Sequence, residues 1–320
     1  MKLLTHLAFL PSLALCFFVG VHSAAALTIS PVKVEVTGDP GQTLRGELEL
    51  LNEQDQPKVF FSSFENFEPS GDTGSPKFIG STEGLATWLQ TEAGVPVAAG
   101  ETVKIPYTIT IPAGTEPGGY FAAIFWGEQD PAAVESGEVT IGGKLGVLIL
   151  LRVAGDIEEA AGISEFGITN TTKVLTTLPI TFSYRFANSG GDQVVPLGDI
   201  LIKNTFGGLT ETLSANLTEG NVLPNSARKF QTTWGQMPAE GETKSFLRVA
   251  KEQFSDFHFG VYKAELSVVY GATNQTAMDT LRFVMIPWQL LLLCLGGLII
   301  VIFGLKKYNS WIISKSKAKA

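Results

Sequence analysis

Val103, Ile105, Tyr107, Ile109 and Ile111 alternate with Thr102, Lys104, Thr108 and Thr110. A two-residue period puts every second side chain on the same face of a strand, so this stretch predicts a half-buried β-strand. Similar runs rich in Val, Ile, Thr, Phe and Tyr recur at 28–36, 43–51, 58–67, 119–127 and 145–153. A second series follows at 163–169, 178–187, 198–204, 227–234, 260–270 and 276–284. Gly, Pro, Asn and Asp clusters separate them, among them Asp39-Pro40-Gly41-Gln42, where a fixed φ precedes a permissive residue as tight turns require. Short strands at this spacing predict an all-β chain of two tandem immunoglobulin-like β-sandwich domains, 27–155 and 156–283, joined by a short linker around 154–162. The segment 69–84 is dense in Ser, Gly, Asp, Thr and Pro, has no apolar period, and is expected to form a long loop.

Two signatures repeat between the halves. Leu50-Leu51-Asn52 before Gln54-Asp55-Gln56-Pro57 parallels Phe186-Ala187-Asn188 before Gly190-Gly191-Asp192-Gln193. Gly118-Gly119-Tyr120 parallels Gly260-Val261-Tyr262, a strand start similar to the tyrosine corner of immunoglobulin-like sandwiches. Both predict that one module is present twice.

The two ends depart from the β pattern. An apolar run at 7–21 follows Lys2 and leads to His22-Ser23-Ala24-Ala25-Ala26. This predicts a signal peptide over 1–26, with Ala24 and Ala26 as the small residues of a cleavage site. Cys16 is preceded by Leu15 where a lipid-anchor motif needs a small residue. Near the other end, 286–305 contains one strongly polar residue, Gln289, and a bilayer core of roughly 30 Å needs about 20 such residues in a helix. A transmembrane helix is therefore expected over 284–305, with 306–320 as a basic cytoplasmic tail. Lys306, Lys307, Lys315, Lys317 and Lys319 lie there without an acidic residue, which orients the tail inward. Trp288, Lys306, Lys307, Tyr308 and Trp311 are the expected membrane-interface anchors. Localisation follows as a single-pass cell-membrane protein with its folded part outside and its C-terminus in the cytoplasm. Gly296-Gly297 lacks the spacing of a helix-dimerisation motif.

Charge then narrows the partners. The formal net charge of −8 becomes −14 for the exported part once Lys2 and the five tail lysines are set aside, a sign that repels nucleic acid. Of the two cysteines, Cys16 lies in the signal peptide and Cys294 in the membrane helix, so the exported part has no disulfide and no thiol nucleophile. His258 is the one histidine outside the signal peptide, and it precedes a strand where an exposed or edge position is expected. Zinc chemistry lacks ligands on that count. Ser30-Pro31-Val32-Lys33 and Ser226-Ala227-Arg228-Lys229 match Ser-x-x-Lys, but that motif works on a helix and both copies fall in extended chain. Neither a nucleophile elbow nor a phosphate-binding loop of the Walker type occurs. Glu158-Glu159, Glu65, Glu68 and Asp72 are the carboxylates left for acid–base or calcium chemistry, and Asp72-Thr73-Gly74 is a fragment of a calcium loop. Asn170, Asn216 and Asn274 open Asn-x-Thr sequons. No residue is assigned as catalytic, cofactor-binding or metal-ligating, and the chain is expected not to be an enzyme.

Ile29-Ser30-Pro31-Val32-Lys33-Val34-Glu35-Val36, Pro40-Gly41-Gln42-Thr43 and Asn52 resemble the start of the WxL-interacting protein family. Pro117-Gly118-Gly119-Tyr120-Phe121-Ala122-Ala123-Ile124 and Gly142-Gly143-Lys144-Leu145-Gly146-Val147 extend the resemblance, which is strongest over 29–153. It implies a bacterial cell-surface adhesion or scaffold component, with the first domain associated with peptidoglycan and the second with partner proteins. The leading expectation is a non-enzymatic, membrane-anchored binding or scaffold protein that engages a cell-wall polymer or a co-exported surface protein. The alternative is a membrane-tethered chaperone-like factor that presents an edge strand to exported subunits. A wall hydrolase working through carboxylates alone is the third class.

Overall fold

The computed structural model describes residues 27–130, 143–169, 174–237 and 244–317. The residues expected to form a signal peptide, including Ala24 and Ala26, lie outside them, as do Asn170, Gly142 and Lys319. Contacts group the described residues into two compact units. One holds those up to Asn66, with Gly80–Thr115 and Phe121–Leu151; the other holds Phe67–Ile79, Glu116–Tyr120 and those from Arg152 onward. Each contains an immunoglobulin-like pair of β-sheets.

In the first unit, β1 (Leu27–Ser30), β3 (Thr43–Asn52), β8 (Thr102–Thr110) and β6 (Leu89–Thr91) form a four-stranded sheet in the order β1-β3-β8-β6. The alternation predicted for β8 holds: Ile105, Tyr107 and Ile109 are buried, and β8 pairs with β3 so that Leu48 meets Ile105 and Leu50 meets Val103. Gly46 lies opposite Tyr107, where a Cβ would come within 2.3 Å of the phenol oxygen. The second sheet runs in the order β2 (Lys33–Gly38), β10 (Lys144–Val153), β9 (Gly118–Gly127), β4 (Lys58–Ser70) and β5 (Ser75–Gly80), with β7 (Gly94–Val97) also on β4; the end of β4 from Phe67 and β5 up to Ile79 group with the second unit. Phe60, Ile124, Trp126, Val147, Ile149 and Leu151 complete this core.

Two expectations need correction here. The strand predicted over 28–36 is two strands in different sheets, because Pro31, between Ser30 and Lys33, has no N–H to give a ladder. The loop predicted over 69–84 is largely the end of β4, a turn through Gly71 (φ 59°) and Gly74 (φ 78°), and β5. Its strands are built from Ser, Pro and Lys beside few apolar residues, so they carry no two-residue period.

In the second unit, β11 (Ala161–Ile168), β13 (Ile180–Asn188) and β16 (Ser226–Trp234) form one sheet. The facing sheet has the order β12 (Val174–Leu175), β18 (Gln275–Met285), β17 (Gly260–Tyr270), β14 (Leu197–Lys203) and β15 (Leu209–Ser214). Ile180, Phe182, Tyr184 and Phe186 alternate inward from β13 against Ile200, Ile202, Ala264, Leu266 and Phe283. Aromatic rings interlock there, with Phe182 and Phe283 5.7 Å apart edge to face and Phe186 and Tyr270 5.1 Å apart. The sequence pattern did not signal β15 or the helix α1 (Phe246–Ser255), whose N-cap Ser245 accepts from the Arg248 N–H at 3.4 Å.

The internal repeat is visible atom by atom. Asn52 and Asn188 end equivalent strands, both buried. The Asn52 amide donates to Gln56 O at 2.9 Å and Val97 O at 3.1 Å, while its Oδ1 accepts from Gln54 N at 3.1 Å. The Asn188 amide donates to Asp192 O at 2.7 Å and Val222 O at 3.0 Å, while its Oδ1 accepts from Gly190 N at 2.9 Å. In each case one side chain closes the turn and ties it to a segment distant in sequence, β7 for Asn52 and the Val194–Val222 bridge for Asn188. Tyr120 has the corner geometry, its hydroxyl donating to Glu116 O four residues upstream at 3.0 Å, whereas the Tyr262 hydroxyl meets the His258 ring at 3.3 Å. Replacing Asn188 by alanine takes the amide donor from Asp192 O and the acceptor from Gly190 N, while Val222 O keeps Val194 N as a donor, and a loss of about 1–3 kcal/mol is expected for each buried group so stranded. A lowered denaturant midpoint with an unchanged slope checks this.

The segment expected to act as a linker is fastened to the second unit. Gly191 N donates to Glu158 O at 3.0 Å and Ser189 N to Ala160 O at 2.7 Å. The Glu159 carboxylate caps the β17–β18 turn, accepting from the Thr273 hydroxyl at 2.6 Å and from Ala272 N at 2.7 Å. Those bonds, the Thr273 hydroxyl first, hold the Glu159 carboxyl below its ordinary value of 4.5. The unfolded chain therefore takes up this proton before the folded one does, and the contribution is lost as pH falls below about the unfolded value. Glu159→Gln is expected to flatten the acid limb of a melting-temperature profile between about pH 5 and pH 3.

Candidate functional site

Of the carboxylates considered for chemistry, Glu65, Glu68 and Asp72 are each held by a cation, and Glu159 caps the β17–β18 turn. Glu65 pairs with Lys144 at 2.6 Å, Glu68 with Lys77 at 2.7 Å and Asp72 with Arg185 at 2.6 Å. Glu65 and Lys144 lie on the outer face of the second sheet, and the Lys144 ammonium also sits 4.5 Å from the centre of the Phe125 ring. These are three separate ion pairs and not a converging acid–base pair. Among the described residues, no three His, Cys, Asp or Glu gather into a metal-holding group. Ser226 and Lys229 lie within β16, and Ser30 and Lys33 flank the break between β1 and β2, so neither Ser-x-x-Lys copy is helical. Asn216 is buried and its amide donates to Pro196 O and Gly220 O, which makes it a turn-closing residue and not a surface acceptor for sugar.

His258 is more enclosed than expected. Its ring packs edge to face on Trp234 at 4.7 Å, its Nε2 lies 3.0 Å from an Asp256 oxygen and its Nδ1 lies 3.3 Å from the Tyr262 hydroxyl. Phe257 and Phe259 on either side are exposed, so local alternation turns the histidine inward. Burial raises the Tyr262 phenol above its ordinary value.

The β4–β5 ribbon presents an open strand. β5 is the terminal strand of its sheet, and its Phe78 and Ile79 are 38% and 56% exposed. Successive residues of a strand point to opposite faces, so apolar groups flank this edge on both sides. At the base, the Asn66 amide donates to Gly80 O at 3.2 Å and Glu83 O at 2.6 Å, and its Oδ1 accepts from Ala86 N at 2.9 Å. At the tip, Asp72 O accepts from Lys229 N at 2.7 Å, and Gly74 lies where a Cβ would meet the Arg228 guanidinium at 2.4 Å. The strand is thereby fixed, and among the described residues no strand pairs with its outer side. Neither β5 nor its fastening was legible in the sequence, although the run Lys77-Phe78-Ile79 could have signalled it.

At the other end of the chain, α2 (Trp288–Lys317) is one unbroken helix. It begins after Pro287, because β18 keeps 284 and 285 in the sheet, and it continues through the lysines expected to form a separate tail. Trp288–Ile313 is long and apolar enough to cross a membrane, with mean hydropathy 2.4 and none of that stretch buried. At ~1.5 Å per residue, Trp288 and Tyr308 are about 30 Å apart along the axis, close to the thickness of a hydrocarbon core. Lys306 and Lys307 adjoin Tyr308, whose ring lies 6.3 Å from that of Trp311. The five expected anchors therefore fall in two sets at the two ends of an apolar span.

No family model matches the chain, and no curated protein matches it in sequence. Among solved structures it is similar to the class 5 fimbriae chaperone CfaA, at 11% identity and a TM-score of 0.39, over 82% of this chain and 100% of that one. A chain of the CsuC–CsuE chaperone–tip adhesion subunit complex of Acinetobacter baumannii matches at 11% and 0.36, over 82% and 100%. The CupB2 chaperone of Pseudomonas aeruginosa matches at 9% and 0.36, over 81% and 100%.

Proposed function

We propose that this chain is a non-enzymatic protein, anchored in a membrane by α2, whose exported part holds a co-exported polypeptide as an added strand along β5. The observation that carries the reading is the β5 edge: it ends its sheet, it is fixed at base and tip, and Phe78 and Ile79 stand exposed beside its backbone. An unpaired edge is a template for another strand, and main-chain hydrogen bonds then give affinity while flanking apolar side chains give selectivity. Pre-ordering the edge lowers the entropy lost on binding. Pro76 and Lys77 in the same strand guard it against pairing with a second copy, since both residue types blunt an edge.

The test is binding of extended, co-exported polypeptides to the purified full chain in detergent micelles. Ile79→Lys is expected to weaken binding at least about tenfold, equivalent to ~1.4 kcal/mol, while Ile79→Val retains it. Sedimentation with peptidoglycan runs alongside, because the resemblance to WxL-interacting proteins implies a wall ligand. Retention on peptidoglycan untouched by Ile79→Lys, with no polypeptide bound, would transfer the role to a wall scaffold.

A further inference from the structure

We infer that the end of the second unit nearest α2 seats on the lipid surface, with α1 lying along the headgroups and three loop phenylalanines inserted between them. The inference rests on the membrane-anchor reading of α2 and adds to it a second, peripheral contact. It starts from a joint between two helices. The Gln253 side chain of α1 donates through Nε2 to Gln289 Oε1 at 2.6 Å and accepts through Oε1 from Leu290 N at 2.9 Å. The same Nε2 donates to Thr176 O at 3.0 Å, so one buried glutamine ties α1, the first turn of α2 and the body of the unit together. Phe246, at the start of α1, lies edge to face with Trp288, the first residue of α2, at 5.9 Å. Once α2 enters a bilayer, α1 is held within a turn of the point of entry.

What α1 exposes there is apolar. Leu247 and Phe254 are 67% and 74% exposed and, seven residues apart, share one helix face. Lys251 lies between them on that face, where its stem can cover apolar surface while its ammonium reaches the headgroup phosphates. Just beyond the helix, Phe257 and Phe259 are both exposed while His258 turns inward. The β14–β15 turn adds Phe206, 96% exposed, and that turn is fastened to Val261 by Thr205, which donates to Val261 O at 2.9 Å and accepts from Val261 N at 3.0 Å. Asn204 Oδ1 accepts from both Phe206 N and Gly208 N at 3.0 Å, so the ring stands on a hydrogen-bonded turn. Rings exposed to this degree on rigid supports, beside the start of an apolar span, match the composition of helices and loops that lie in the membrane interface. A lipid surface is chosen over a protein partner because α1 is continuous, through Gln253 and Phe246, with the one element already assigned to lipid.

The test uses the full chain with Cys294→Ser, carrying single cysteines at Phe206→Cys, Phe254→Cys, Phe257→Cys or Leu298→Cys, each labelled with an environment-sensitive fluorophore. The labelled chains are reconstituted into phosphatidylcholine vesicles with or without headgroup-spin-labelled phosphatidylcholine, and iodide serves as the aqueous quencher. Severalfold stronger quenching by the lipid label than by iodide is expected at 206, 254 and 257, with melting temperatures matching the unlabelled parent. If Leu298 is shielded from iodide while those three respond to iodide alone, the seated end is overturned and the anchor stands. If iodide also quenches Leu298 freely, the anchor reading fails and takes this inference with it.

Discussion

Phe182→Ala is expected to bring the second unit to the margin of folding. Phe182 is fully buried, packed between Phe166 at 6.3 Å and Phe283 at 5.7 Å. Truncating a buried phenylalanine costs about 3–5 kcal/mol through lost transfer energy and the cavity left behind. Set against a typical stability of about 5–15 kcal/mol, that removes a large share. A thermal melt of the exported part is the measurement, with Phe206→Ala as control, since a 96% exposed ring contributes almost nothing to the core. Equal melting temperatures for the two variants would contradict the assigned core.

Ending the chain after Pro287 is expected to move the protein completely into the soluble fraction when membranes are washed with alkaline carbonate, which strips peripheral contacts and leaves spanning helices in place. Each Leu, Ile, Phe or Val at the centre of a spanning helix favours insertion by about 0.3–0.6 kcal/mol, and α2 carries such residues on every side from Leu290 to Phe303. Removing them leaves no comparable apolar helix among the described residues. The truncation also takes Gln289 and Leu290 from Gln253, which keeps Thr176 O, so a modest loss of stability in α1 should accompany release. Fractionation reads the first effect and hydrogen exchange in 246–255 the second. A truncated chain that still sediments with carbonate-washed membranes would place the anchor elsewhere.

How much of this was legible in the sequence depends on which force shaped each element. Strands buried on one face, such as β8 and β13, announce themselves because water selects their side chains in alternation. The buried Asn52 and Asn188 were found as a repeat of turn residues, although their role in tying a distant segment needs coordinates. β5 and β15 were missed because they are edges: with little buried, nothing enforces a period. α1 was missed for another reason: it is short, ten residues, and stands alone among strands, so its apolar side of Phe246, Leu247, Ala250 and Phe254 was too brief a run to stand out. Pro31 was read as part of a strand, whereas its missing donor splits that strand between two sheets. The cations that Glu65, Glu68 and Asp72 meet lie 79, 9 and 113 residues away along the chain, pairings that only the fold brings about.

The central claim, that an exported polypeptide joins the β5 edge of a membrane-tethered protein, is tested most directly by a cysteine scan of β5 in living cells. In a Cys294→Ser background, single cysteines replace each of Ser75, Pro76, Lys77, Phe78, Ile79 and Gly80, and a short thiol-reactive crosslinker is added from outside. An added strand predicts crosslinks to one exported polypeptide in two alternating sets, the even and odd positions reaching residues on opposite faces of the partner strand. Crosslinks without that period, or recovery of wall polymer and no polypeptide, would contradict it.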